Sequence, residues 1–393
     1  MEFVKIVDTD TPIPGLPSAT FDDLSVPAIY GGRVAFSGRS GEFHNQTQAG
    51  AFLAEDGALA IIADLQTFMP GGQGSTFYRF GPPSVERDRV CFHGANPFDH
   101  LEEGIYAKRG NKLRVVVDVH TLVPGQTGTF TSQFSQLQSS ADGNGAFISW
   151  NGEHTGVYTE IGGALGVVAN RDTAIPGGEG NFTPDDGAPG FEGVSISGSE
   201  VAFGGRGVGQ EGIYSTVGGP LRVEADRHTM LPGATGLPGT LRGPALNRGN
   251  VAFYAGSQFG EGIFARIGSA MQIVADRSTP VPDRGVNFLQ FEPFTAIERR
   301  NVVFWGRPDP GISFAGIYVR FFGELMKVIE TDDTLEGRDV AFVTFGPQAI
   351  SGNRVAFKVT FSDFSQGLYV AILRTIFRDG FESGDLTIWS SGQ

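Results

Sequence analysis

The sequence predicts an all-β fold, a seven-bladed β-propeller with four antiparallel strands per blade and a ring closed by the N-terminal strand. Three observations carry this. A loop of pattern Asp-x-x-Thr-x-x-Pro recurs at spacings of 50 to 56 residues, the length of one four-stranded blade. Between successive loops the same three strand signals return in the same order. The composition agrees: of 393 residues, 58 are Gly and 33 are Phe, which suits many short strands joined by tight turns.

The loop comes first in each repeat. It reads Asp8-Thr11-Pro14, Asp64-Thr67-Pro70, Asp118-Thr121-Pro124, Asn170-Thr173-Pro176, Asp226-Thr229-Pro232 and Asp276-Thr279-Pro282. A degraded seventh copy is expected at Thr331 and Thr334, with Leu335 and Gly337 taking the next two marked positions. Chemistry favours an Asx-turn here, in which the Asp side chain accepts from backbone N–H groups and the Thr hydroxyl. Calcium is the alternative occupant of such a carboxylate, and it is the one cofactor the sequence leaves open.

The first strand ends near a Pro-x-Ala/Ser-Ile/Val element, as in Pro27-Ala28-Ile29 and Pro83-Ser84-Val85. The second is a Val-Ala-Phe strand, as in Val34-Ala35-Phe36 and Val201-Ala202-Phe203. In the third, a Gly-Ile-Tyr strand, Tyr106, Tyr158, Tyr214, Tyr318 and Tyr369 recur. Alternation puts Val and Phe on one face and the small residue on the other, as packing between blades requires. The recurring tyrosines are therefore expected in the interblade core. Glu2 to Val7 matches a fourth strand, and the last repeat, ending at Leu373, lacks its own. The termini should meet there and remove two free edges. Residues 1–373 then form one domain, with 374–393 a tail outside the repeat.

The totals exclude several classes. A net charge of −14 with no basic stripe disfavours nucleic acid. The single cysteine, Cys91, takes the place of a repeat Ala and reads as a small core residue. No apolar run is long enough to span a bilayer, so no membrane insertion is expected, and a monomer is. No Gly-x-Ser-x-Gly elbow, His-Glu-x-x-His or phosphate loop occurs. Gly71-Gly72-Gln73-Gly74 sits in the repeat frame and reads as a turn.

A meander places the Asp-Thr-Pro loops and the loops after Val-Ala-Phe at the same end of the ring. Chemistry is sought there among residues that break the repeat. His44, His93, His100, His120 and His154 map to one sector and are candidate metal ligands or bases. The position after the strand phenylalanine varies, and it includes His93, Tyr254, Trp305 and Lys358. With Trp150, Arg39, Arg206 and Arg307 these would suit a sugar, rings stacking on pyranose faces and Arg fixing hydroxyls or carboxylates. A solvated rim and structural packing explain the same residues without any ligand. Asp23, Gln133, Asp185 and Glu292 on the first strands are a weaker set for a channel cation.

The Gly-Ile-Tyr, Val-Ala-Asp and Thr-x-x-Pro-Gly-Gly-x-Gly-x-Phe elements together resemble a bacterial secreted β-propeller repeat family of uncharacterised function. Asp64–Phe77 and Asn170–Phe182 match best, and the resemblance covers Phe3 to Leu373. The Asp379-Gly380-Phe381-Glu382-Ser383-Gly384-Asp385 run resembles a C-terminal element of secreted proteins. The resemblance implies a secreted or cell-surface location, although no signal peptide precedes the first strand, and it transfers no catalytic residue. The expectation is a module that binds a glycan or a protein. The alternative is a carbohydrate-active enzyme of polysaccharide lyase type, with His93, His100 or His154 as base, Tyr254 as acid, and Arg39 or Lys358 neutralising a uronate.

Overall fold

The computed structural model describes all residues except 43–44, 73, 99–101, 132, 136–137, 140–142, 151–153, 184–189, 259, 309–313 and 375–393. The chain forms seven antiparallel sheets in a ring, each a meander from an inner first strand to an outer fourth. Blade five is representative: Thr240–Asn247, Asn250–Ser257, Gly260–Ile267 and Ala270–Asp276, hydrogen-bonded in that order. Prolines shape the inner strands. In blade one the strand splits into Asp23–Leu24 and Ala28–Tyr30, and in blade two into Arg79–Phe80 and Ser84–Glu86, because Pro27 and Pro83 supply no ladder N–H. Among the described residues no helix is long and apolar enough to cross a membrane.

Ring closure follows the phase of the repeat. Glu2–Asp8 pairs antiparallel with Gln366–Ile372, so the N-terminal strand is the fourth strand of blade seven. The ring thus joins its two ends through main-chain hydrogen bonds.

The core lies between blades. Phe92 faces Tyr106 across the ladder, Phe203 faces Tyr214 and Phe304 faces Tyr318. Tyr106, Tyr158, Tyr214, Tyr318 and Tyr369 are buried, as the repeat required. A third ring, contributed by the end of the preceding loop, stands edge-on to this pair. Phe77 meets Tyr106 at 4.8 Å, Phe182 meets Tyr214 at 4.9 Å and Phe288 meets Tyr318 at 4.8 Å. Edge-to-face geometry of this kind adds about 0.5–1.5 kcal/mol per pair beyond burial. Cys91 lies in this core, and burial pushes its thiol up to about 11, which removes thiolate reactivity.

Each blade also carries a β-bulge at one fixed place, where the third strand meets the fourth. The register shifts at Ile105/Tyr106, Val157/Tyr158, Ile213/Tyr214, Ile263/Phe264 and Ile317/Tyr318. The extra residue increases local twist and lets the outer strand follow the blade.

Candidate functional site

The Asp-Thr loops build one face of the ring. In six copies the Thr hydroxyl donates to the side-chain oxygen of the Asp or Asn at 2.6 to 2.9 Å. The Asp or Asn backbone N–H in turn donates to that Thr hydroxyl. Asn170 makes the same turn as the aspartates, so the motif needs an oxygen acceptor and not a charge. The seventh copy corrects the sequence register by one residue. Glu330 takes the Asp position and Asp333 the Thr position, with the Glu330 N–H donating to Asp333 Oδ2 at 2.8 Å. Lys327 and Arg284 neutralise this acidic cluster.

The predicted site residues lie on this face but do not gather. His93 Nε2 sits 3.0 Å from Glu103, His120 Nε2 sits 2.9 Å from Glu102, and His154 Nδ1 sits 2.6 Å from Gln126. Each imidazole thus has its own partner. His44, His100 and Asp185 lie outside the described residues. Gln133 contributes its backbone N–H to Glu103 at 3.0 Å. Arg39 pairs with Asp23 at 3.2 Å, and Lys358 reaches the same Asp23 at 3.5 Å. Burial pulls the Lys358 ammonium down, against the attraction of Asp23.

Two aromatic candidates are held by packing. Trp305 is only 7% exposed, in the core between blades six and seven with Ile317 and Phe345. Its ring faces protein and not the channel mouth. Trp150 donates its indole N–H to the Phe191 carbonyl at 3.0 Å and packs on the blade-four core. Arg206 leans on Glu211 at 3.7 Å, which also holds Arg227 at 2.8 Å. Arg307 stands near Glu292, whose carboxyl is pushed up by burial and by Glu261.

Tyr254 has the richest surroundings. Its hydroxyl donates to Glu261 Oε2 at 2.8 Å, and Arg277 donates to Glu261 Oε1 at 3.0 Å. Burial and the Glu261 hydrogen bond both push the phenol well above its usual value. It therefore holds its proton and is poorly matched to acid catalysis near neutral pH. Beside it, Arg242 faces Glu192 at 3.4 Å.

One set of residues escaped the sequence reading. Glu103, Glu211 and Gln366 each precede the glycine of the third strand, and each reaches the first strand region of the next blade. Glu103 accepts from the Gln133 and Phe134 N–H groups, Glu211 from the Leu241 N–H, and Gln366 from the Leu24 N–H. Burial opposes the Glu103 carboxylate, but these amides and His93 outweigh it and hold its pKa below the usual range. The signal was a Glu or Gln immediately before Gly104, Gly212 and Gly367.

Besides the seventh copy, the repeat breaks at the loop Asp226 to Thr240. Five other loops fold back on themselves through a short bridge, as between Phe68 and Thr76 or Ala174 and Asn181, with a paired strand at Pro12–Ile13 in the first. No such bridge occurs in the described Asp226–Thr240 loop. The ring that should follow is replaced by Pro238, and the strand glycine beneath it by Ala255. A cavity of about 200 Å³ opens there, lined by Leu231, Pro238, Ala255, Glu261, Phe264 and Arg277. A second, of about 540 Å³, shares Gly256 and Ser257 with it and is lined by Arg242 and Tyr254.

Comparison with known proteins agrees with this architecture. The β-propeller domain of the Trilobed protease from Pyrococcus furiosus, described as having an open velcro topology, is 10% identical, with 91% of this chain and 98% of that one covered and a TM-score of 0.54. A puromycin-hydrolyzing peptidase of Mycobacterium tuberculosis is 12% identical with a TM-score of 0.46, covering 90% of this chain and 52% of that one. This chain therefore spans about half the length of that peptidase. Likeness at such identities concerns the fold alone. No curated protein matches significantly. Residues 30–354 match a family model described as "Family of unknown function (DUF7453)", and the chain belongs to that family.

Proposed function

We propose that the protein is a non-catalytic binding module whose ligand, a glycan, lies at the channel mouth over blade five. What carries this reading is the break in the repeat. The paired cavities occur where the Asp226–Thr240 loop departs from the pattern, beside Arg242, Tyr254, Glu261 and Arg277. A rim of carboxylate, guanidinium and phenol groups around an apolar floor suits a ligand with many hydroxyls and one apolar face. The lyase alternative has less support. It needs an acid and a base on one substrate, while His93, His154 and Tyr254 bond to separate partners in blades two, three and five. A secreted or cell-surface location and a monomeric state belong to the same proposal.

The test is a binding screen of the purified protein on neutral and uronic polysaccharides, with and without calcium. Selective binding that falls at least tenfold in both Tyr254→Ala and Arg242→Ala supports the reading. Binding that survives both changes moves the site elsewhere, and no binding to any glycan turns the search to a protein partner. Unsaturated products would restore the lyase.

A further inference from the structure

The opposite face of the ring carries a different feature. Where blade two meets blade three, a cleft of about 570 Å³ is lined by Arg87, Arg89, Arg109, Lys112 and Arg114. Three glycines edge it. Gly143, Gly162 and Gly163 turn the chain at the blade-three rim, and a Cβ on any of them would meet nothing within 4 Å.

The floor is a buried ion group that joins the two blades. Glu160, 2% exposed, lies between Arg89 and Arg114, each at 2.5 Å. Arg89 is itself 5% exposed, and its Nε has no hydrogen-bond partner although its terminal nitrogens bond to Glu160 and the Gly143 carbonyl. At the rim Arg109 pairs with Asp88 at 2.7 Å. Counting Glu86, Asp88 and Glu160, five cations face three carboxylates. The cleft therefore keeps a positive excess on a chain of net charge −14. A chain this acidic repels anions overall, so a local cationic pocket is selective for one that fits it.

The geometry points to an oxyanion site: we infer that this cleft binds a phosphate or sulfate group. Guanidinium forks match tetrahedral oxyanions through paired N–H donors, and Lys112 adds a point charge at the open side. The group is either a free ion or an ester on a polymer, and the chemistry of recognition is the same.

The backbone supplies a clean variant. Arg87 occupies a turn position with φ of 41°, where blades one, four and seven carry Gly31, Gly198 and Gly352. Arg87→Gly thus removes the cation and installs the residue the turn prefers. Arg248 and Arg299 hold the same turn position in blades five and six, with φ of 49° and 57°, and neither lines this cleft.

The experiment is calorimetric titration of the full chain with inorganic phosphate and with inorganic sulfate, at constant ionic strength against chloride. A parallel titration uses a sulfated polysaccharide and its desulfated form. Saturable binding is expected, weakened at least tenfold in the Arg87→Gly/Lys112→Ala double variant and unchanged in Arg248→Gly/Arg299→Gly. Lys112→Ala alone should show part of the loss, which guards against a folding defect. Tighter binding of the sulfated polymer, lost in the same double variant, assigns the group to a polymer ester, whereas equal affinity for the free ions assigns it to the ion. Heat no greater than with chloride, or equal loss in both double variants, overturns the inference.

Discussion

Gly94 lies so close beneath Phe77 that a methyl group on it would stand 2.5 Å from the ring. The relationship recurs as Gly38 with Phe21, Gly205 with Phe182 and Gly306 with Phe288. In blade five both members differ, with Ala255 in place of the glycine and Pro238 in place of the ring. A strand Cβ is thus accommodated in blade five, where no ring lies over it. Gly94→Ala should destabilise by about 1–3 kcal/mol through overpacking. Adding Phe77→Leu should recover part of that loss, so the two changes together cost at least about 1 kcal/mol less than their sum. Chemical denaturation of the two single variants and the double variant measures this, and strict additivity would refute the coupling.

The repeat made the fold legible, because each blade solves one packing problem with the same residues. Tyr106 and Tyr158 are buried where period-two alternation put them. Glu2–Asp8 closes the ring where the phase of the repeat put it. The site was harder to read. Trp305 follows Phe304, and alternation turns it to the same side as the small residue, toward the next blade. Its parity assigns it to packing, whatever its ring could stack on. The seventh loop was displaced because Glu330 and Asp333 replace the Asp and Thr by function and not by identity. The blade-five cavity does leave a mark, Pro238 where blades one, two, four and six carry Phe and Ala255 where they carry Gly, but neither residue type names a ligand.

The turn motif yields a paired test. Asp64 Oδ1 accepts from the Thr67 hydroxyl at 2.7 Å and from the Gln66 N–H at 3.1 Å. Asn170 does both jobs with a neutral amide oxygen. Asp64→Asn should then change stability by less than about 0.5 kcal/mol. Thr67→Val should cost about 1–2 kcal/mol, since it strands the Asp64 N–H and one acceptor oxygen. Thermal melts of both variants decide this. A large loss in Asp64→Asn would mean that the charge matters and would reopen calcium at this loop.

His120 makes one contribution depend on pH. The Glu102 hydrogen bond lifts its pKa above the ordinary 6.5, and burial opposes it only in part. The folded state thus binds the proton more tightly than the unfolded chain. The stabilisation is complete below about pH 6.5 and is lost as pH rises through the elevated folded value. With the imidazole nearly half exposed, screening keeps it to a few tenths of a kcal/mol. His120→Gln should be less stable than the parent at pH 5.5 and close to it at pH 9. A ring titration followed by NMR with its midpoint at or below 6.5 would contradict the pairing.

Removing residues 1–8 tests how far the ring depends on its closure. The deleted strand contributes Val7 to the core beside Leu368 and covers the edge Gln366–Ile372 with main-chain hydrogen bonds. It also takes away Asp8, whose turn opens the chain into blade one, and Lys5, which bridges to Glu336 at 3.1 Å. Each lost hydrogen bond is worth about 0.5–1.5 kcal/mol, so the total reaches several kcal/mol. The bared edge is a second penalty, because its unpaired N–H and C=O groups offer a template for another chain. The truncated protein should melt earlier and elute as concentration-dependent oligomers. Adding a synthetic peptide of residues 1–8 should restore the melting temperature in part, since the edge it fits is already formed by the remaining strands. A truncated chain that stays monomeric at the parent's melting temperature would mean that packing between blades holds the ring shut without the closing strand.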